Sequence, residues 1–498
     1  MPGSEWRAFA GSCDRVAVAG SALRDAAAST EGPPGHGSRI RAMIKALWLL
    51  AVLLIVFPGR PLAQFPPAPG GPVSIQVPYT QFTLPNGLKV ILHEDRSVPI
   101  VSVNVWYHVG SANERPGRTG FAHLFEHLMF MGSGHVPPGE FDALLEGAGG
   151  MNNGSTNTDR TNYWINVPSN ALELALFVES DRMGYLLDTM SPQVVDAQRD
   201  VVKNERRQSY ENRPYGMADL ALAEMLYPEG HPYRWPVIGH MEDLTAASYE
   251  DVVEFFKRYY APSNASLVVA GDLDVAETRR LVEKWFSDVK PGPRAEPVAI
   301  PGLRLADVVS KTMTDRVQLP RLTLAWLTPR HFTPGDAELD VVADVLAGGR
   351  NSRLYKRLVY DMQIAQSVTA FQASRALSSY FVVQVMVRPG RTVEEIQKVV
   401  DEEIARLQAD GPTDREVERA RNKIEASFYS RMERVGGFGG KADQMNAYYT
   451  TTGMPDWFNQ DLARYRALSP IDIRAAAAEF LPATERVELT VLPEQQKP

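Results

Sequence analysis

The sequence predicts an α+β protein with two homologous domains. Each half of the chain opens with an alternating strand pattern, continues through helical patterns and closes on an apolar strand. A Pro- and Gly-rich segment at 289–302 separates the halves, and each half has the length of an ordinary domain. Exact residue matches between the halves are few, so the duplication is predicted from the order of elements.

The first half, predicted to form a domain over 77–288, begins with a hairpin pattern that turns at Pro85-Asn86-Gly87. Apolar residues then alternate with polar ones, which indicates a half-buried strand, before apolar spacings of three and four residues indicate a helix. The strand, helix and closing-strand patterns lie at 100–110, 121–131 and 266–273.

The second half, predicted to form a domain over 303–498, repeats this order. It opens with a strand at 321–327 and closes with a strand at 487–493. Apolar residues at three- and four-residue spacing predict helices between these strands. The helical patterns cover 337–346, 393–408 and 415–433.

The leader, residues 1–63, differs from the rest of the chain. Within 43–63 a basic start precedes an apolar stretch, and a small residue ends the segment, which is typical of a secretory signal peptide. The apolar stretch at 46–57 is shorter than the roughly 20 residues that cross a bilayer, so we expect no stable membrane span after signal cleavage. An uncleaved anchor or a buried strand are the alternatives. With a Pro-rich spacer at 64–76, the pattern predicts an exported, periplasmic protein.

Composition excludes several classes of protein. The net charge of −8 argues against a general nucleic-acid binder, which needs a cationic surface. Cys13 is the single cysteine and lies in the predicted leader, so a disulfide framework and a multi-cysteine zinc site are excluded. Any metal in the exported protein is therefore held by nitrogen and oxygen.

The segment HLFEH at 123–127 has the H-x-x-E-H spacing of a zinc peptidase. On a helix His123 and His127 share a face, so both imidazoles can bind one ion. Glu126 lies beside them and can act as general base on a zinc-bound water. The alternative is a helix with two incidental histidines. The spacing favours one Zn²⁺ per chain.

A catalytic zinc site needs a third protein ligand, and a carboxylate completes a His₂Glu set. The helix predicted at 191–212 starts at Ser191, an N-cap residue followed by proline. It contains Glu205, with Glu211 and Asp200 as alternatives. Spacing alone does not choose among the three, and each acidic residue could equally be a solvated surface charge.

Much of the first half resembles the pitrilysin family of zinc peptidases, in which the zinc-binding motif is inverted. The similarity is greatest to zinc-bearing subunits, both of bacterial heterodimeric members and of mitochondrial processing peptidase. The matching stretches are 117–133, 149–164, 199–216, 231–244 and 259–274.

The resemblance implies both a site and a fold. In that family the ligating glutamate follows the second histidine by about 75–80 residues, and Glu205 follows His127 by 78. His123, His127 and Glu205 would then bind zinc, with Glu126 as the base. Each half would be a mostly antiparallel sheet packed with several helices, and the chain would form half of a clam-like chamber.

The family also holds its substrate on a strand that follows a G-G-x-x-N-A segment. The corresponding segment here is 149–154, which places Asn153, Gly154 and Ser155 against the substrate backbone. An edge strand can add an extended peptide through main-chain hydrogen bonds. A turn-rich hairpin is the alternative, because Asn and Gly are common turn residues.

Two positions depart from the family pattern. Gln198 stands seven residues before Glu205, where relatives carry a second glutamate; it can hydrogen-bond a ligand but supplies no charge. In the second half Val359 and Gln366 occupy the positions of an Arg/Tyr pair that polarises the substrate carbonyl. Nearby Arg357 and Tyr360 could replace the pair only after a register shift.

These observations predict a zinc-dependent endopeptidase that hydrolyses peptides or small unfolded proteins. Because the Arg/Tyr pair is missing, we expect a homologous partner subunit to supply it in a heterodimer, in preference to a homodimer. The domain at 303–498 lacks an H-x-x-E-H motif and is expected to be an inactive repeat. The alternative is a non-catalytic scaffold or a peptide-binding subunit of a processing-type complex.

Overall fold

Two mixed β-sheets, one in each half of the chain, organise residues 74–494, which are the residues that the computed structural model describes. The leader predicted at 1–63 and most of the spacer predicted at 64–76 lie outside the described residues. The first sheet contains β1 (Thr80–Thr83), β2 (Lys89–Glu94), β3 (Ile100–Tyr107), β4 (Met151–Thr156), β5 (Thr161–Pro168) and β6 (Ala265–Gly271). The second contains β7 (Val309–Asp315), β8 (Arg321–Thr328), β9 (Ala365–Ala373), β10 (Ser379–Val387) and β11 (Val487–Pro493).

Five strands of the first sheet and the five strands of the second have the same topology, and β1 is an additional edge strand of the first sheet. The strand orders of the two sheets are β1-β2-β6-β3-β5-β4 and β7-β11-β8-β10-β9. In each sheet the last strand in the sequence is inserted between two earlier ones, parallel to one and antiparallel to the other. All other pairings are antiparallel. The predicted class, an α+β protein with two homologous halves and mostly antiparallel sheets, is confirmed.

Helices fill the connections between the strands of each sheet. Those of the first half are α1 (Phe121–Leu128), α2 (Glu140–Gly147), α3 (Leu172–Tyr185), α4 (Pro192–Arg206), α5 (Gly216–Leu226), α6 (Met241–Ala246), α7 (Tyr249–Tyr259) and α8 (Val275–Phe286). Those of the second half are α9 (Asp336–Ala347), α10 (Val393–Asp410), α11 (Asp414–Met432), α12 (Lys441–Thr452), α13 (Phe458–Arg466) and α14 (Pro470–Phe480). Single π-helical turns at Arg207–Glu211 and Tyr355–Asp361 interrupt this pattern.

Local sequence signals explain the element boundaries. The predicted hairpin is present, and Thr83 of β1 lies opposite Lys89 of β2. Thr392 and Thr413 cap α10 and α11, and each accepts a hydrogen bond from the backbone of a glutamate three residues later. The helix predicted at 191–212 is shorter, because the backbone passes into a π-helical turn after Arg206. Between α8 and β7 the chain forms neither helix nor strand.

Each half has its own apolar core between sheet and helices. Val103 and Phe125 are fully buried in the first core, and Leu324 and Val383 are buried in the second. The central strands β3, β6 and β8 are buried along almost their whole length, as expected for strands that are covered on both faces. Within residues 74–494 no helix is both long and apolar enough to cross a lipid bilayer.

The halves also pack directly against each other. Tyr227 and Tyr233 from the first half share an apolar cluster with Val382 and Leu489 from the second. On another face, α12 and the glycine-rich turn at 436–440 cover the first sheet. This turn connects α11 and α12.

Candidate metal centre

Helix α1 is fixed at its first turn. Gly120 precedes it with φ of 87°, a conformation that favours glycine, and a Cβ there would lie 2.9 Å from Gly239 Cα. Glu114 accepts hydrogen bonds from Gly120 N at 3.0 Å and Ala122 N at 2.8 Å. These bonds satisfy amides at a helix start that would otherwise lack partners. The histidine-bearing helix therefore starts from a defined position.

The two histidines of α1 meet a glutamate of α4. The imidazole rings of His123 and His127 lie 4.8 Å apart, centroid to centroid. Glu205 Oε2 lies 3.3 Å from His127 Nε2 and 3.7 Å from His123 Nε2. One donor atom from each residue lies within 4.8 Å of the others. The structure thus brings together the three residues predicted as ligands.

The packing of α4 places Glu205 beside the two histidines, and it places neither Asp200 nor Glu211 there. Ser191 caps α4 and accepts a hydrogen bond from Val194 N, as predicted. The side chain of Asp200 is 71% exposed and lies 3.5 Å from Lys203 Nζ. Glu211 lies beyond the end of α4. Neither alternative belongs to the histidine cluster.

Burial and charge set the protonation states of these groups. Burial lowers the pKa of His123, and the nearby carboxylate of Glu126 only partly opposes this. Burial would raise the pKa of Glu205, but the hydrogen bond with His127 and the charges of both histidines outweigh it, so the pKa is lowered. A neutral imidazole and an ionised carboxylate are the forms that bind a metal ion.

The donor set fits a zinc ion. Tetrahedral zinc with bonds of about 2.0–2.1 Å places neighbouring ligand atoms about 3.4 Å apart. The two nitrogen–oxygen separations, 3.3 and 3.7 Å, bracket that spacing. Two imidazoles and one carboxylate also form a known catalytic zinc set with a fourth position left open.

Glu126 lies against the edge strand β4. A Cβ built on Gly154 would come 3.2 Å from Glu126 Cγ and 3.0 Å from the ring of Tyr163. The hydroxyl of Tyr163 donates a hydrogen bond to Phe125 O at 3.3 Å, which joins β5 to α1. The strand predicted to hold substrate therefore runs beside the predicted base.

The three residues predicted to bind substrate lie together on β4, which pairs on one side with β5 and forms the edge of the sheet. Asn153 Oδ1 accepts a hydrogen bond from Gly154 N at 2.8 Å. Ser155 Oγ donates to Asn162 at 2.6 Å, and Arg160 donates to Ser155 O at 2.7 Å. The roles of Asn153, Gly154 and Ser155 in substrate binding stay a prediction.

Gln198 lies on α4 two turns before Glu205. Its amide nitrogen donates to the sulfur of Met131 at 2.8 Å rather than to a ligand. Gln198 therefore contacts the segment that follows α1.

The cluster opens into a cavity of about 350 Å³, here called the metal cavity. Its walls come from both halves of the chain. They are formed by His123, Thr156, Asn157, Thr158, Asp159, Glu205, Tyr210, Val237, Ile238, Ser374 and Arg375. Asp159, Tyr210, Ser374 and Arg375 were not predicted from the sequence. Asp159 and Tyr210 fall in stretches that match the family, whereas no pattern marks Ser374 or Arg375.

The second-half residues considered from the sequence lie elsewhere. Val359 packs against the second core, and Gln366 is exposed on β9. Arg357 forms ion pairs with two glutamates of α10, including Glu403 at 2.9 Å. Tyr360 is 73% exposed. None of the four lines the metal cavity.

Two family models match the chain. The model described as "Insulinase (Peptidase family M16)" matches residues 89–230 and includes the histidine–glutamate cluster. The model described as "Peptidase M16 inactive domain" matches residues 246–424. The second match begins inside the segment predicted as the first domain and ends within α11.

Similar proteins carry peptidase names. "Zinc protease PqqE" of Helicobacter pylori is 28% identical over 82% of this chain and 92% of its own length. The crystal structure of a protease from Helicobacter pylori has a TM-score of 0.76 and 26% identity, and covers 84% of this chain and 100% of its own. The periplasmic protease PqqL from Escherichia coli has the same fold, with a TM-score of 0.69 and 17% identity over 84% of this chain and 48% of its own. The two family matches together cover more than half of the sequence, so the chain belongs to peptidase family M16.

Proposed function

We propose that this chain is a zinc-dependent endopeptidase that hydrolyses peptides or small unfolded proteins. The observation that carries the proposal is the cluster of His123, His127 and Glu205 with Glu126 beside it on the same helix. Relatives named as zinc proteases support the same class of reaction.

In this proposal His123 and His127 hold the ion through Nε2, and Glu205 holds it through a carboxylate oxygen. When bound, zinc polarises the scissile carbonyl and makes a water molecule more acidic. The carboxylate of Glu126 takes a proton from the attacking water and delivers it to the departing amine nitrogen. Glu126 is suited to both transfers because it lies between the histidines and the edge strand β4.

The substrate is proposed to add to β4 as an extended strand, with Asn153, Gly154 and Ser155 along its backbone. The free edge of β4 supports this mode, because main-chain pairing binds peptides with few demands on their sequence. The missing side chain at Gly154 keeps the approach to Glu126 open.

A homologous subunit that carries the Arg/Tyr pair, here called the sister subunit, is proposed to complete the active site in a heterodimeric chamber. Val359 and Gln366 occupy the corresponding positions of this chain and supply neither a cation nor a phenol. Similarity to about half of PqqL is consistent with paired units of this size. A homodimer is the less favoured arrangement.

The proposal assigns a zinc peptidase domain to 77–288, a linker to 289–302 and an inactive repeat to 303–498. The first sheet lies within the first segment and the second sheet within the last. A periplasmic location follows from the signal pattern at 43–63, and one structural neighbour is described as a periplasmic protease.

A non-catalytic scaffold or peptide-binding subunit is the second candidate. It is favoured by the match to the "Peptidase M16 inactive domain" model and by the missing Arg/Tyr pair. Under this candidate the chain would bind peptides and zinc without cleaving them.

Cleavage of a quenched peptide by the full zinc-loaded chain, with and without the sister subunit, separates the two candidates. We expect weak or no cleavage by the chain alone and strong cleavage by the pair. Glu126→Gln should abolish cleavage and retain zinc, whereas Glu146→Gln, an exposed change on α2, should alter neither. No cleavage under any condition would support the scaffold, and full activity without the sister subunit would refute the need for it.

A further inference from the structure

Arg375 brings a positive charge from the second half of the chain to the metal cavity. It lies in the turn between β9 and β10 and lines the same cavity as His123 and Glu205. Within residues 74–494, no other Lys or Arg lines this cavity. Arg375 is far from His123 and Glu205 in the sequence, so nothing in the sequence indicates that the three residues line one cavity.

The turn that carries Arg375 is held in place by the first half. Asp159 accepts a hydrogen bond from Ala376 N at 3.1 Å, and the hydroxyl of Tyr233 accepts one from Leu377 N at 2.9 Å. Tyr227 donates its hydroxyl to Ser378 O at 3.0 Å. None of these bonds uses the guanidinium of Arg375, so the turn does not need that group to keep its position.

The guanidinium itself is packed between aromatic rings. It lies 4.8 Å from the ring centroid of Tyr380 and 5.3 Å from that of Tyr233, and Nη2 lies 3.4 Å from the Tyr380 hydroxyl. No Asp or Glu within residues 74–494 forms an ion pair with it, and the carboxylate of Asp159 is bound to Tyr233 and to the backbone of Ala376. Aromatic faces stabilise a cation but leave most of its five N–H donors unfilled.

A guanidinium with free donors, held at the wall of a cavity, matches the planar geometry of a carboxylate. The structure assigns to Arg375 the recognition of an Asp or Glu side chain on the peptide substrate, an inference that rests on the proposed endopeptidase function. Substrates with an acidic residue near the scissile bond are then preferred over their neutral counterparts.

The position of the acidic residue follows from the course of β4. Gly154 lies beside Glu126, and the next residues, Thr156 to Asp159, form the cavity wall that leads to Arg375. An extended peptide advances about 3.3 Å per residue along such a strand. The recognised carboxylate therefore lies about two to four residues from the scissile bond.

The test uses decapeptides of Ala, Ser and Val with a single Glu placed at each position in turn, each paired with the same peptide carrying Gln. Binding of the labelled peptides to the zinc-loaded full chain is measured by fluorescence anisotropy in the Glu126→Gln background. At one or two adjacent positions we expect the Glu peptide to bind about tenfold more tightly, a typical effect of a charge-assisted bidentate hydrogen bond.

Arg375→Met should remove this preference and leave the Kd of the Gln peptides within twofold. Arg330→Met, an exposed arginine of the same half, should keep the preference. Arg375→Lys should restore only part of it, because lysine retains the charge but not the planar fork. A preference that survives Arg375→Met, equal weakening of both peptides, or no preference in the parent chain would each overturn the inference.

Cleavage of the same peptide pairs, with Glu126 intact and with and without the sister subunit, separates the two proposals. Cleavage without any preference for Glu contradicts only the role of Arg375 and leaves the endopeptidase proposal standing. A preference in binding with no cleavage under any condition contradicts only the endopeptidase proposal. A chain that binds none of the peptides contradicts both.

Discussion

The carboxylate of Asp443 accepts a hydrogen bond from the indole Nε1 of Trp106 at 2.9 Å, across the boundary between the two halves. The same oxygen accepts a hydrogen bond from Asn162 Nδ2 at 2.7 Å. Asn162 in turn accepts a hydrogen bond from Ser155 Oγ at 2.6 Å. A residue on α12 of the second half is thus two hydrogen bonds away from the predicted substrate strand.

Replacing Asp443 should weaken this connection. Asp443→Ala leaves the donors of Trp106 and Asn162 unpaired in a buried site, which we expect to lower the free energy of unfolding by about 2–4 kcal/mol. Urea unfolding measures this change. The exposed change Asp456→Ala is the control and should stay within about 0.5 kcal/mol of the parent. Equal stability of the two variants would show that the network adds little.

Gly154→Ala should damage the reaction without removing the metal. The added methyl group would lie 3.2 Å from Glu126 Cγ, so the carboxylate or the strand has to move. A shift of a few tenths of an ångström relieves this contact. Because a 1 Å misplacement of a reacting group costs about 100-fold, we expect the smaller shift to lower kcat/KM by about 3- to 10-fold. Steady-state kinetics in the presence of the sister subunit measures the first effect, and the zinc content of the chain measures the second.

Gly147→Ala is the matched control, because a Cβ there meets no atom within 4 Å. Its kinetics should equal those of the parent chain. Unchanged kcat/KM in Gly154→Ala would mean that Glu126 needs no such clearance.

The third ligand can be tested by metal binding. Glu205→Gln removes the charged oxygen from the donor set and should reduce zinc affinity by more than about tenfold, whereas Asp200→Asn should not. Zinc should also raise the melting temperature of the parent chain, because binding at 100 times Kd stabilises a folded protein by about 2.7 kcal/mol. Equal zinc affinity of the two variants would exclude Glu205 as a ligand.

Acid should destabilise the fold in part through His108. Burial, assisted by the charge of Arg294, lowers the pKa of His108 to about 4. The unfolded chain binds this proton near the ordinary pKa of about 6.5, so the stability that His108 contributes is present above pH 6.5 and is lost as pH falls towards 4.

His108→Gln should therefore flatten the dependence of unfolding free energy on pH between 6.5 and 4. The difference in slope approaches about 1.4 kcal/mol per pH unit for one proton. Urea unfolding of both chains across this range measures it, and parallel curves would contradict the prediction.

Local patterns in the sequence predicted most of the fold. Strand alternation and helical spacing depend on neighbouring residues, so the order of elements in both halves is visible in the sequence. His123 and His127 were predicted for the same reason, since four residues on one helix place both on one face. The sequence alone did not distinguish Glu205 from Asp200, because that choice depends on how α4 packs against α1.

Arg375 shows why part of the site was not predictable. It reaches the metal cavity through the packing of the β9–β10 turn on Tyr227, Tyr233 and Asp159, and no local pattern records that contact. Gln198 is a related case, since its hydrogen bond to Met131 depends on where the chain runs after α1. Contacts between distant segments are decided by tertiary packing.

The insertion of β6 and β11 into the interior of their sheets fixes an order of assembly. During synthesis β7 and β8 leave the ribosome long before β11, yet in the sheet each has β11 as its neighbour. Pairing strands so distant in sequence carries a large loop-closure cost and slows folding. The second sheet can close only after Val487–Pro493 has been made, so a nascent chain that stops short of this strand keeps the interior edges of β7 and β8 open.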